Sequence, residues 1–208
     1  PLKGVRPFLS AHLENNDYDR FGFFSNLEPV YNRYITIMNE KTIRLAEKLR
    51  GKDRIAVLFV CLGNICRSPA AEGVLRAIVD EAGESTRWTI DSAGTGRYHI
   101  GQLPDHRMRI HARRRGLELT HRCRQVCEAD FDDFDLIIPM DADNEANLRR
   151  IAPTPEALEK IAPMADFTDM TMRYDHIPDP YYEGAEGFEL VLDLLQNGCT
   201  RLFQLLKH

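Results

Sequence analysis

The 208-residue chain is predicted to be an α/β protein: a doubly wound, mainly four-stranded parallel sheet flanked by helices, with an N-terminal helical extension. Three observations predict this. From Arg54 onward, short apolar runs alternate with helical stretches, the signature of βαβ units. The first run, "RIAVLFV", is nearly uninterrupted, as expected of a strand covered on both faces of a parallel sheet. The polar turn that follows it runs directly into a helix start.

The elements follow in order. Residues 1–50 form the predicted extension, and residues 54–208 the main domain, with "RGKD" at 50–53 as connector. In the extension, Ser25 and Glu28 have the spacing of a capping box. After them, Tyr31, Ile35, Met38, Thr42, Leu45 and Leu49 recur at alternating steps of four and three, an amphipathic stripe. Such a stripe docks on the main domain or pairs two chains. In the main domain, "SPAAEGVLRAIVDEAG" is read as a helix with Ser68 at the N-cap, Pro69 at the first helical position and Gly83 just past the end. Further strands are expected at 86–91, 135–140 and 160–164, and helices near 104–115, 142–151 and 186–206. There is no internal repeat and no low-complexity tract.

Composition bounds the function. At 43% hydrophobic and 28% charged residues, the chain can bury a sizeable core. A net charge of -5 argues against a dedicated nucleic-acid binder. No apolar run approaches the roughly 18 residues of a membrane span, and the opening residues carry no apolar signal core. The five cysteines are odd in number and form no CxxC pair, which disfavours a disulfide scaffold or zinc ribbon. A cytoplasmic protein with free thiols is expected.

The stretch "VLFVCLGNICRSPAAEG" (57–73) concentrates the chemistry. A loop entering a helix N-terminus turns unpaired backbone N–H groups inward, where the helix dipole also favours an anion. Gly63 and Asn64 tolerate the left-handed geometry such a nest needs. Cys61, at the strand end, would have its thiolate stabilised by the same N–H groups. Ser68 can donate its hydroxyl to that thiolate. Arg67 offers a planar fork for two phosphate oxygens. A bare C-x5-R spacing is weak evidence, but strand, turn, cap and helix in this order describe a phosphate site with a thiol beneath it.

This stretch resembles the active-site loop of the low-molecular-weight protein tyrosine phosphatases. The resemblance extends through "DSAGTGRYHIG", "HRCRQV", "DFDDFDLIIPMDADN" and "IPDPYY", in order, over residues 54–208. It implies that Cys61 is the nucleophile, and that residues Leu62, Gly63, Asn64, Ile65, Cys66, Arg67 and Ser68 hold the phosphate. It implies that Asp179, set between two prolines, is the general acid; alone, such an aspartate would read as a turn residue. It implies that Tyr98 and Tyr181 wall a crevice deep enough to select phosphotyrosine over phosphoserine. It also implies that Asn64, Ser68, Ser92 and His121 brace the loop. Cys66 is either a packed thiol or a partner that traps oxidised Cys61 as a disulfide. No metal and no cofactor are called for, because the N–H nest and Arg67 supply the positive field.

The expected partner is a phosphotyrosine-containing protein or peptide, with no nucleic acid and no membrane. Self-association or autoregulation through residues 1–50 is a further expectation. The arginines at 107, 109, 113, 114, 115, 122 and 124 are read as a solvated face flanking the crevice, suited to acidic phosphopeptides. Arsenate reductases share the loop but need resolving cysteines near "MDADNEANLRR", which has none. Protein-arginine phosphatases tend to carry threonine where this chain has Ile65. A phosphotyrosine-binding module would be expected to lack the nucleophile, arginine or acid, and all three are present. The last two readings stand as alternatives.

Overall fold

The computed structural model describes residues 39–172 and 174–207. The Ser25–Glu28 capping box and the first half of the stripe (Tyr31, Ile35, Met38) lie outside the described residues. The second half forms helix α1 (Glu40–Leu49), opened by Asn39, whose side chain accepts a hydrogen bond from the Lys41 N–H at 2.9 Å. Thr42, Leu45, Ala46 and Leu49 are buried on one face. They meet Leu136, Phe167, Leu202 and Leu206 of the main domain. The docking has polar pins as well. The Lys41 ammonium donates to the carbonyls of Leu158 (2.6 Å) and Ile161 (3.1 Å), and the Thr42 hydroxyl donates to Asp166.

The main domain holds β1 (Ile55–Cys61), α2 (Arg67–Glu81), β2 (Trp88–Gly94), α3 (His106–Arg114), α4 (Asp130–Asp133), β3 (Leu136–Pro139), α5 (Ala142–Ile151), α6 (Pro155–Glu159) and α7 (Ala185–Leu206). The sheet is parallel, in the order β2-β1-β3. Strand β1 is central, and the period of two divides its side chains. Ile55, Val57, Phe59 and Cys61 enter the core under α1, α2, α3 and α7, while Leu58 and Val60 enter a second core under α4, α5 and α6. Both faces are therefore covered, which explains the near-continuous apolar run. Gly83 adopts φ +73 just beyond the C-cap of α2, as its position in the sequence predicts.

Among the described residues the sheet has three strands, not the four expected. Residues 160–164 reach the edge of β3 but make only one isolated bridge, Ile137 with Ile161. The Ile137 N–H donates to the Lys160 carbonyl at 2.9 Å, and the Ala162 N–H to the Ile137 carbonyl at 3.1 Å. The next rung would be an N–H of residue 139 donating to the Ala162 carbonyl, but β3 has Pro139 there, and the incoming chain turns into a 3₁₀ segment at Met164.

Candidate active site

Strand β1 ends at Cys61, opposite Gly94 of β2, and the loop 62–66 connects it to α2. The parity that places Phe59 in the core places Cys61 there too, 3% exposed, with its Sγ 3.1 Å from the Ser68 hydroxyl. Ser68 is not the N-cap that its sequence context predicts. The helix starts two residues earlier than that context implies, at Arg67, with Cys66 as an N-cap that makes no side-chain cap bond. Ser68 thus sits in the first turn, where its hydroxyl serves the thiol instead of the helix end. Pro69 falls in that same turn, where missing intrahelical N–H bonds make proline tolerable.

Asn64 is the only non-glycine among the described residues with positive φ, at 55°. The left-handed region costs an ordinary L-residue about 1–2 kcal/mol. Asn64 is held there by its own side chain, which is 1% exposed as a residue and bonded at every end. Its Nδ2 donates to the Ser68 and Ser92 hydroxyls, both at 2.9 Å. Its Oδ1 accepts from the Arg124 backbone N–H and faces His121 Nε2, again both at 2.9 Å. The Cys123 thiol donates to the Asn64 carbonyl at 2.8 Å. The loop after β2 closes over the other side: the N–H groups of Thr95 and Gly96 donate to the carbonyls of Cys61 and Leu62, each at 2.8 Å. A Cβ on Gly94 would lie 2.8 Å from the Leu62 carbonyl oxygen, so only glycine allows this approach.

The predicted bracing residues Asn64, Ser68, Ser92 and His121 are therefore brought together, and two carboxylates join them, Glu72 and Asp91. Ser92 donates to Glu72 on α2 at 2.8 Å, and His121 Nδ1 lies 3.2 Å from Glu72 and 3.4 Å from Asp91. These atoms of Glu72, Asp91 and His121 lie within 4.8 Å of one another, a spacing a cation could bridge. The two carboxylates already have cationic partners in Arg76 (3.0 Å) and Arg124 (2.9 Å), so the cluster is a completed polar network.

Arg67 is 3% exposed, and its fork is engaged on both arms. Nη1 donates to Asp141 at 2.5 Å and to the Ile177 carbonyl at 3.1 Å, and Nη2 donates to Asp179 at 2.8 Å. Burial works against its charge, but Cys61, Asp179 and Asp141 outweigh that and hold the guanidinium above its ordinary value. Asp179 is partly exposed and caps a short 3₁₀ turn (Pro180–Tyr182), its Oδ1 accepting from the Tyr181 N–H at 3.1 Å. Nucleophile, arginine and candidate acid thus converge, although 112 residues separate Arg67 from Asp179.

Asp141, Glu72, Asp91 and Cys123 are functional neighbours that sequence reasoning missed. Asp141 had a readable signal. It follows β3 directly and caps α5, accepting from the Asn144 N–H at 2.7 Å. In a parallel sheet the carboxyl ends of neighbouring strands converge on one crevice.

Around the site, Leu62, Tyr98, Tyr181 and Tyr182 are exposed. Tyr98 packs over Gly96, and Tyr181 meets Tyr182 edge to face at 5.0 Å. Cys66 is buried beside the loop, and burial pushes its thiol well above the ordinary range. No helix among the described residues is long and apolar enough to cross a membrane.

Comparison with known proteins agrees with this geometry. Residues 56–208 match the family described as low molecular weight phosphotyrosine protein phosphatase. The chain is 45% identical over 146 residues to a putative low molecular weight protein-tyrosine-phosphatase of Synechocystis, covering 70% of this chain and 92% of the relative. It is 43% identical over 149 residues to the Bacillus subtilis low molecular weight protein-tyrosine-phosphatase YfkJ, covering 71% and 93%. A crystal structure of a protein tyrosine phosphatase from Entamoeba histolytica is similar with a TM-score of 0.69 and 42% identity, covering 72% of this chain and 94% of that one. With its thiol beneath a left-handed loop, its buried arginine and this extent of likeness, the chain belongs to the low molecular weight phosphotyrosine protein phosphatases, a family of cysteine-dependent hydrolases.

Proposed function

We propose that this chain hydrolyses phosphotyrosine through a phosphocysteine intermediate, with Cys61 as nucleophile, Arg67 as transition-state clamp and Asp179 as general acid and base. The observation that carries this is the convergence of the Cys61 thiol, the Ser68 hydroxyl at 3.1 Å and the buried Arg67 fork, with Asp179 held on that fork. In the first step, Cys61 Sγ bonds to phosphorus as the bond from phosphorus to the phenolic oxygen breaks, and Asp179 protonates the departing phenolate. In the second, water attacks phosphorus, its proton passes to the Asp179 carboxylate, and the thiolate leaves. The Ser68 hydroxyl stabilises the thiolate at both ends of the cycle.

The Arg67–Asp179 pair gives the substrate a task. Phosphate entering the nest competes with Asp179 for the guanidinium and releases the carboxyl oxygen toward the leaving group. Asp141 keeps the other arm of Arg67 in place during this exchange. The loop N–H groups of residues 62–68 and Arg67 carry the transition-state charge. The depth of Cys61, with Tyr98 and Tyr181 as walls, favours an aromatic phosphoester, in keeping with the activity named for the relatives. A cytoplasmic setting fits the free thiols among the described residues.

Phosphate release from a phosphotyrosyl peptide, measured with EDTA for the wild type and Cys61→Ser, tests the reading. Turnover that vanishes in the variant is expected. Turnover that survives in Cys61→Ser would overturn it, and so would a wild type that releases phosphate from phosphoarginine but not from phosphotyrosine.

A further inference from the structure

Arg107 stands outside the residues assigned above, yet it touches both halves of the site. Through Nε and Nη2 it makes a two-pronged ion pair with the Asp105 carboxylate, at 3.1 and 2.9 Å. Asp105 is itself tied to the catalytic loop, its backbone N–H donating to the Ile65 carbonyl at 2.8 Å. The remaining arm, Nη1, donates to the backbone carbonyl of Tyr181 at 3.0 Å. The same guanidinium lies over the Tyr181 ring at 5.2 Å and over the Phe188 ring at 4.9 Å.

The ring beneath it is rigidly seated. Phe188 is buried and stacks on His111 of α3 at 5.5 Å and 10°. His111 Nδ1 in turn pairs with Glu189 at 2.5 Å. Arg107 is thus pinned from below by α7 and from the side by Asp105. The residue whose carbonyl it grips, Tyr181, is the one whose N–H, in the preceding peptide, holds Asp179 Oδ1. The linkage runs Ile65, Asp105, Arg107, Tyr181, Asp179, and every step is a hydrogen bond or a neighbouring peptide.

We infer that Arg107 is a positioning residue that locks the segment bearing Asp179 onto the catalytic loop, so that the acid meets the leaving group at the distance the nucleophile dictates. The inference rests on the assignment of Asp179 as acid. A loose segment leaves Cys61, Arg67 and the nest intact, so phosphate binding persists while protonation of the leaving group suffers. The need for that protonation rises with the basicity of the leaving group, which gives the clamp its own signature. Lysine cannot replace arginine here, because an ammonium lacks the planar fork that serves Asp105 and the Tyr181 carbonyl together.

The test uses Arg107→Lys and Arg107→Met in the full chain with two measurements. The first is hydrogen exchange at the amides of Tyr181 and Glu183 without substrate, which does not depend on turnover. The second is kcat over a series of aryl phosphates of graded leaving-group pKa, with vanadate affinity as control. Faster exchange is expected, together with a steeper leaving-group dependence. Esters of phenols as basic as tyrosine should lose roughly tenfold, and nitrophenyl-type esters less than about twofold, with vanadate binding retained. Unchanged exchange would overturn the clamp, and so would a uniform loss across the series. A wild type without Cys61-dependent turnover would refute the underlying reading, leaving exchange to decide the clamp alone.

Discussion

Replacing Asn64 by alanine and, separately, by glycine divides the loop's backbone strain from its side-chain bracing. In Asn64→Ala the residue at φ 55° loses its amide, and the left-handed conformation then costs about 1–2 kcal/mol without local compensation. The side-chain loss is unequal among its partners. Ser68 and Ser92 keep acceptors for their hydroxyls in the Ala93 carbonyl (3.2 Å) and Glu72 (2.8 Å). The Arg124 N–H and His121 Nε2 lose the oxygen they face, and an orphaned buried donor costs roughly 1–3 kcal/mol. Alanine should therefore destabilise the fold by roughly 3–8 kcal/mol, and glycine by about 1–2 kcal/mol less, since it carries no Cβ penalty. Urea unfolding gives the stability of each variant, and kcat/KM on a phosphotyrosyl peptide with vanadate affinity reports the loop. The expected order is wild type, then Asn64→Gly, then Asn64→Ala in all three. Equal effects of glycine and alanine would refute the strain argument, and a neutral Asn64→Ala would refute the brace.

Leu49→Ala empties a position 2% exposed beneath α1 and should cost roughly 2–5 kcal/mol with kcat/KM on the phosphotyrosyl peptide held within about twofold, because the helix packs at the end of β3 remote from Cys61. Thermal melting and steady-state kinetics check this, and an unchanged melting temperature would show that α1 is not part of the core. Asp105 supplies a pH test: burial raises its carboxyl, but the hydrogen bonds from Arg107 prevail and hold it below the ordinary range. Its stabilisation is thus present above the unfolded value of about 3.9 and disappears as pH falls through the lower folded value. The difference in urea midpoint between wild type and Asp105→Asn, which keeps the helix cap, should be clear at about pH 7 and close as pH falls below the unfolded carboxylate value; a constant gap would refute the ion pair as its source.

The elements whose evidence is contiguous were legible. Residues 61–68 carry nucleophile, nest and arginine in one turn, so backbone tolerance and helix-start chemistry suffice to read them. The near-continuous apolar run of β1 reports burial by two cores, and β1 and the helix expected near 186–206 both appear where the sequence places them. The second half of the stripe, Thr42 to Leu49, is helical and buried for the same reason. Ser68 misled because a serine before a proline fits a cap as well as it fits a thiol partner, and local pattern does not separate the two. The fourth strand failed on Pro139: residues 160–164 have strand-like composition, but the N–H that β3 lacks at this proline ends the ladder after a single bridge.

By itself, the sequence determined what is chemically possible at the loop: which atom attacks, which fork clamps, and which residues can bend the chain left-handed. Only the tertiary structure decided which distant groups serve it. Asp141 reaches Arg67 because β3 lies beside β1, Ser92 joins Asn64 to Glu72 because α2 packs on β2, and Arg107 reaches Tyr181 because α3 and α7 share Phe188. These partners lie up to 74 residues from the groups they hold. Their pairing is set by strand order and helix packing, which are properties of the whole core; a local signal such as the cap position of Asp141 marks a residue but does not name its partner.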